Sequence, residues 1–69
     1  MNKDVIGLNA GKVWEALSSA DAMGVKQLKK VTKLKDKELF AALGWLARED
    51  KIAIATDDKD EKEFIISLI

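Results

Sequence analysis

Six lysines fall between positions 26 and 37, at 26, 29, 30, 33, 35 and 37, and Asp36 alone opposes them, a local charge of +5. The chemistry such a run offers is binding. Ammonium groups neutralise phosphates, and each released counterion adds salt-dependent affinity. The same run also suits a solvated helix face. Residues 49–63 carry the reverse balance, seven carboxylates against Lys51, Lys59 and Lys62, a local charge of −4. Within them, Asp57-Asp58-Lys59-Asp60-Glu61 has the residue types of a calcium loop. Such a loop needs a glycine at its sharp turn and ligands at set spacing. Both are missing, so no metal site is expected. A catalytic carboxylate pair needs a cleft that moves the two pKa values apart, which a charged turn does not supply. Histidine and cysteine are absent altogether. With them go the commonest general base, the commonest metal ligand and every thiolate site. No catalytic residue, cofactor or small-molecule substrate is expected, and the chain does not read as an enzyme.

The elements that must position the lysines follow from hydrophobic period. A first helix is expected to start near Asn9, a good N-cap, with Ala10, Val13, Leu17 and Ala20 on one face and Trp14 in the core. Gly11 is costly in a helix interior, which suggests that another backbone packs on it. Ser18, Ser19, Asp21 and Gly24 mark the exit. Met23-Gly24-Val25 fits a short extended bridge. A second helix over residues 25–32 turns Leu28 and Val31 inward and its lysines outward, and Leu34 plugs the core from the turn.

A third helix is predicted over residues 36–49, with Leu39, Phe40, Ala42, Leu43, Leu46 and Ala47 on one arc. The opposite arc holds Lys37, Glu38, Ala41, Gly44, Trp45 and Arg48. Asp36 and Glu38 suit the positive end of the helix dipole and Arg48 the negative end. After Asp50 the period drops to two. Ile52 and Ile54 alternate with Ala53 and Ala55. A charged, solvated turn over residues 57–62 leads to Phe64, Ile66 and Leu68, which alternate with Ile65, Ser67 and Ile69. Two strands and a polar turn make a hairpin. The expected core is Val13, Leu17, Leu28, Val31, Leu34, Leu39, Leu43, Leu46, Ile52 and one of Phe64 and Ile66.

Sixty-nine residues bound the chain to a single domain, 1–69, with one small core. No apolar run approaches the ~20 residues of a membrane helix, and the first residues have no signal-peptide plan. The expectation is a cytoplasmic protein with no membrane contact.

Helix, turn, helix and hairpin, in that order, give an α+β winged helix-turn-helix. Two segments make the match specific: Asn9-Ala10-Gly11-Lys12-Val13-Trp14, and residues 42–52, ALGWLAREDKI. Together they resemble a family of small stand-alone winged helix-turn-helix proteins of bacteria and archaea, of uncharacterised function. The resemblance implies the fold, and a third helix whose outer residues face DNA: Lys35, Lys37, Glu38, Ala41 and Arg48 by position. Two departures stand out. The wing tip carries Asp57, Asp58, Asp60 and Glu61 where wings that touch DNA carry Arg or Lys. Lys35 takes the place of a capping Ser or Thr.

Two functions compete. In the first, double-stranded DNA is bound through Lys29, Lys30, Lys33, Lys35, Lys37 and Arg48, in a transcription-associated role. Base readers are sparse, since specificity usually comes from Arg on guanine or Asn and Gln on adenine. In the second, the winged helix is a protein-interaction or dimerisation module. Trp45 on the outer arc suits an interface anchor. The last strand is apolar on both faces, so Phe64, Ile65 and Ile69 are candidate contacts of a homodimer built on an open strand edge. Alternatively, Val5, Ile6 and Leu8 fold back as the cover within one chain.

Overall fold

The computed structural model describes residues 1–56, 58, 59 and 63–69. Helix α1 spans Lys3–Ser18, strand β1 Met23–Gly24, helix α2 Val25–Thr32, helix α3 Asp36–Arg48, strand β2 Ile52–Thr56 and strand β3 Phe64–Leu68. Among the described residues, no helix is long and apolar enough to cross a membrane.

The N-cap of helix α1 lies seven residues earlier than the Asn9 that the apolar period predicts. The cap is Asn2, whose Oδ1 accepts the Val5 N–H at 2.9 Å. Asn9 lies inside the helix, 5% exposed, and its Nδ2 has no hydrogen-bond partner among the described residues. Val5, Ile6 and Leu8 are therefore part of α1 and not a separate folded-back cover. The helix stops at Ser18, where Ser18 and Ser19 hydroxyls donate to the Glu15 and Ala16 carbonyls. Such bonds let serine compete with the helical ladder. Ala20 falls beyond this end and is exposed, contrary to its place on the expected inner face.

Helix α2 ends on Lys33, a left-handed residue with φ 60°. Helix α3 ends in a Schellman turn. Asp50 takes φ 58°, its N–H reaches the Ala47 carbonyl, and the Lys51 N–H reaches the Leu46 carbonyl at 3.0 Å. That closure satisfies the last carbonyls and lets the strand start at once at Ile52.

The sheet has three antiparallel strands in the order β1-β3-β2. The hairpin is as expected, with Ile54 opposite Ile66. The Met23-Gly24 bridge adds a third strand, pairing Met23 with Ile66 and Gly24 with Ile65. The last strand is thus the middle one. Its expected open edge is covered at Ile65 and Ile66 only, and β2 is the outer strand on the other side.

The core joins Ala10, Val13 and Leu17 of α1, Leu28 of α2 and Leu34 of the turn to Leu39, Ala42, Leu43 and Leu46 of α3. Met23, Ile52 and Ile66 close it from the sheet. Ile66, not Phe64, is the buried member of the last strand. Three expectations need correction. Val31 is 52% exposed because it borders an open groove between α1 and α2, next to Lys12, Glu15 and Ala16. Trp14 is 44% exposed and not core. Gly11 has open space where a Cβ would go, so no backbone packs on it. Phe40, placed on the inward arc by its angle, lies at that arc's edge and is also exposed.

Candidate nucleic-acid interface

The arc of α3 that faces away from Leu39, Ala42, Leu43 and Leu46 is formed by Lys37, Gly44 and Arg48, all exposed. A Cβ at Gly44 would meet nothing within 4 Å, so the middle of this face is open to a close approach. Ala41 and Glu38 sit half-buried at its border. Glu38 is occupied elsewhere. Its Oε1 accepts the Lys35 N–H at 2.9 Å, the half of a capping box that does not depend on the N-cap side chain.

The turn before α3 brings α2 close to this arc. Lys30, Lys33 and Lys35 are exposed there. Lys29 is half-buried and forms an ion pair with Asp36, which ties α2 to the first turn of α3. Among the described residues it is the one cation of this group in an ion pair, so part of the local positive charge is already neutralised. Lys26 joins Lys29 and Lys30 around a surface depression of about 370 Å³. Lys29 and Lys30 lie on α2, Lys33 and Lys35 in the turn after it, Lys37 in the first turn of α3 and Arg48 at its end.

Trp45 departs from the outward arc on which its angle places it. Its ring leans back over α1, where a Cβ at Gly7 would lie 3.7 Å from Trp45 Cζ2. It remains 39% exposed. Trp45 and Trp14 flank a groove of about 230 Å³ floored by Gly7, Ala10 and Gly11. Of the strand residues proposed as contacts, Phe64 and Ile69 are exposed, and Ile65 is half-buried between its neighbours Gly24 and Ala55.

One contact could not be read from sequence. Gly24 stands at the N-cap of α2 without a side chain to cap it, and Glu63, just before β3, does so instead. Its Oε1 accepts the Val25 N–H at 2.6 Å and the Lys26 N–H at 3.4 Å. The signal is the glycine at a capping position, but the pairing of β1 with β3 is needed to find its partner. The acidic turn expected over residues 57–62 lies outside the described residues except for Asp58 and Lys59, both exposed. No group of three or more Asp or Glu that could hold a metal ion occurs among the described residues.

Helix-turn-helix, three-stranded antiparallel sheet and a hairpin after the third helix define a winged helix-turn-helix. The chain belongs to the family of the winged helix-turn-helix domain (DUF2582), which matches over residues 1–67. It is 39% identical to an uncharacterised protein of Methanocaldococcus jannaschii, over 91% of this chain and 89% of that protein. A solution NMR structure of a Bacteroides thetaiotaomicron protein superposes with a TM-score of 0.84 at 37% identity, covering 99% of this chain and 79% of that one. A MarR mutant from E. coli, complexed with operator DNA, superposes with a TM-score of 0.78 at 16% identity. The match covers 96% of this chain and 54% of the MarR chain, so this chain spans about half the length of that regulator.

Proposed function

We propose that this chain binds double-stranded DNA in the cytoplasm, in a transcription-associated role, with the outward face of α3 turned to a groove. Lys30, Lys33, Lys35 and Lys37 lie on phosphates, Lys29 contributes what its pairing with Asp36 leaves, and Arg48 is the one base reader on that face. The observation that carries the reading is the open strip Lys37–Gly44–Arg48 beside exposed lysines of the preceding turn. The MarR fold, which occurs with operator DNA, supports it by architecture. With so few base readers, affinity is mostly electrostatic and weakly sequence-dependent. Fluorescence anisotropy with short duplexes tests this. Binding is expected in the micromolar range at low salt, with log K falling by about 0.9 per decade of salt for each phosphate contacted. Changing Lys30, Lys33 and Lys37 to Glu abolishes it while the circular dichroism spectrum stays native. No signal from the wild type with protein at about 100 micromolar, the weak end of non-specific affinities, refutes the reading.

A second reading, a protein-interaction or homodimerisation module, is favoured by one observation. Trp14 and Trp45 remain 44% and 39% exposed around one groove, with Leu8 nearby on α1 at 70%. Exposed tryptophans are common interface anchors. Phe64 and Ile69 add apolar surface at the sheet, whereas Ile65 is held between two strands. Light scattering separates the readings: a mass of one chain at all concentrations up to hundreds of micromolar removes the homodimer.

A further inference from the structure

Residues that begin helices usually bring their own capping oxygen, from Ser, Thr, Asn or Asp. Helix α2 does not. Gly24 stands at its N-cap, and the oxygen comes from Glu63, 38 positions away from Val25 in sequence. A second observation points to the same contact. A Cβ at Gly24 would lie 3.3 Å from Glu63 Oε1 and 3.4 Å from its Cδ, so the carboxylate is seated against bare backbone. A side chain at position 24 would require the carboxylate to shift by a few tenths of an ångström. Position 24 therefore forgoes its own cap in a way that admits the wing's carboxylate. That carboxylate lies at the foot of the helix whose Lys26, Lys29 and Lys30 line the basic depression. It is an anion one helix end away from the lysine face, at the N-terminus where negative charge is most favourable.

We propose that Glu63 is a positioning residue of the DNA-binding face: its carboxylate caps α2 from the wing and, by its charge, lowers the affinity of the lysine face for phosphate. The charge effect rests on the DNA-binding reading; the capping effect does not. The two are separated by two variants. Glu63→Ala removes oxygen and charge. The Val25 amide should then exchange about 2- to 30-fold faster relative to the Leu43 amide of α3, the range set by losing a cap. An unchanged ratio overturns the cap, and the Leu43 reference shows whether the whole fold has loosened. Glu63→Gln keeps an oxygen acceptor and removes the charge. Val25 protection should stay near that of the wild type, while affinity for a short duplex at low salt rises about 1.5- to fivefold, the worth of one exposed charge-charge interaction. A purely structural Glu63 predicts unchanged or weaker binding, and that result overturns the charge effect. If neither wild type nor Glu63→Gln binds DNA, the DNA-binding reading fails and the charge effect with it, and Val25 exchange still decides the cap.

Discussion

Lys33 is the residue where fold and function pull apart, and Lys33→Gly measures both. The backbone there is left-handed, φ 60° and ψ 23°, because α2 must stop and reverse toward α3. Its N–H closes the turn onto the Lys29 carbonyl at 2.8 Å. A residue with a Cβ is less stable in this conformation by about 1–2 kcal/mol, and glycine is not. Glycine also frees the unfolded chain, which offsets about 0.4–1 kcal/mol of that gain. The Lys33 side chain is exposed and makes no ion pair among the described residues, so little else is lost. The net expectation is a stabilisation of about 0.5–1 kcal/mol, or roughly 2–8 °C in Tm for a domain of this size. Thermal melts followed by circular dichroism measure it. If Lys33 also contacts a phosphate, the slope of log K against log salt becomes shallower by about 0.9 in the same variant. A lower Tm would refute the left-handed turn. A higher Tm with an unchanged salt slope would remove Lys33 from the interface while leaving the turn intact.

Other consequences of the packing are checked by denaturation. Leu39 is fully buried where α3 meets the core, so Leu39→Ala should cost on the order of 2–5 kcal/mol. Total stabilities run at about 0.05–0.15 kcal/mol per residue, so urea unfolding should show most of the midpoint lost. A change under about 1 kcal/mol would mean that α3 is not seated as described. Asn9→Ala removes a buried amide nitrogen with no partner and should leave Tm unchanged or raise it by a few degrees. A fall of more than about 4 °C, roughly 1 kcal/mol, would show that the Asn9 amide makes a hydrogen bond the fold depends on.

Where the sequence was readable, the reason was local period. Residues 36–56 switch from a repeat of 3.6 to one of 2 at Asp50, and the structure turns there through a single left-handed residue. Leu34 in the turn and Leu28 in a short helix were equally legible, as the leucines among the surrounding lysines. The start of α1 was not. Asn2 and Asn9 are both good caps, and the weak apolar pattern of residues 3–8 hides a helical face that is mostly solvated: Leu8 is 70% exposed there. Val31 and Trp14 were misplaced for a related reason. A helical wheel gives angles about one axis, whereas burial depends on how far apart two axes lie: Val31 borders an open groove between α1 and α2, and Trp14 borders the one it shares with Trp45 of α3. Trp45 was put on the outward arc by the same angle and instead bends back over Gly7, a contact that needs the α1–α3 approach.

The strand order matters most for what this protein can do. Read as a bare hairpin, the last strand has an apolar open edge that asks for a second copy. With Met23 and Gly24 paired against Ile66 and Ile65, the middle of β3 is covered on its second side and that demand is reduced. The same two residues place Gly24 at the foot of α2 and so bring Glu63 onto its first turn. One short strand thus weakens the strand-edge argument for a homodimer and, beside its own ladder with β3, sets up a side-chain tie between wing and helix-turn-helix. The basic face and the wing act as one unit as long as that tie holds, which makes position 24 as informative as any lysine. Gly24→Ala keeps every charge in place and disturbs only the seat of the Glu63 carboxylate. It should therefore reproduce the faster Val25 exchange of Glu63→Ala, and a Val25 rate equal to that of the wild type would show that the carboxylate holds its place without the glycine.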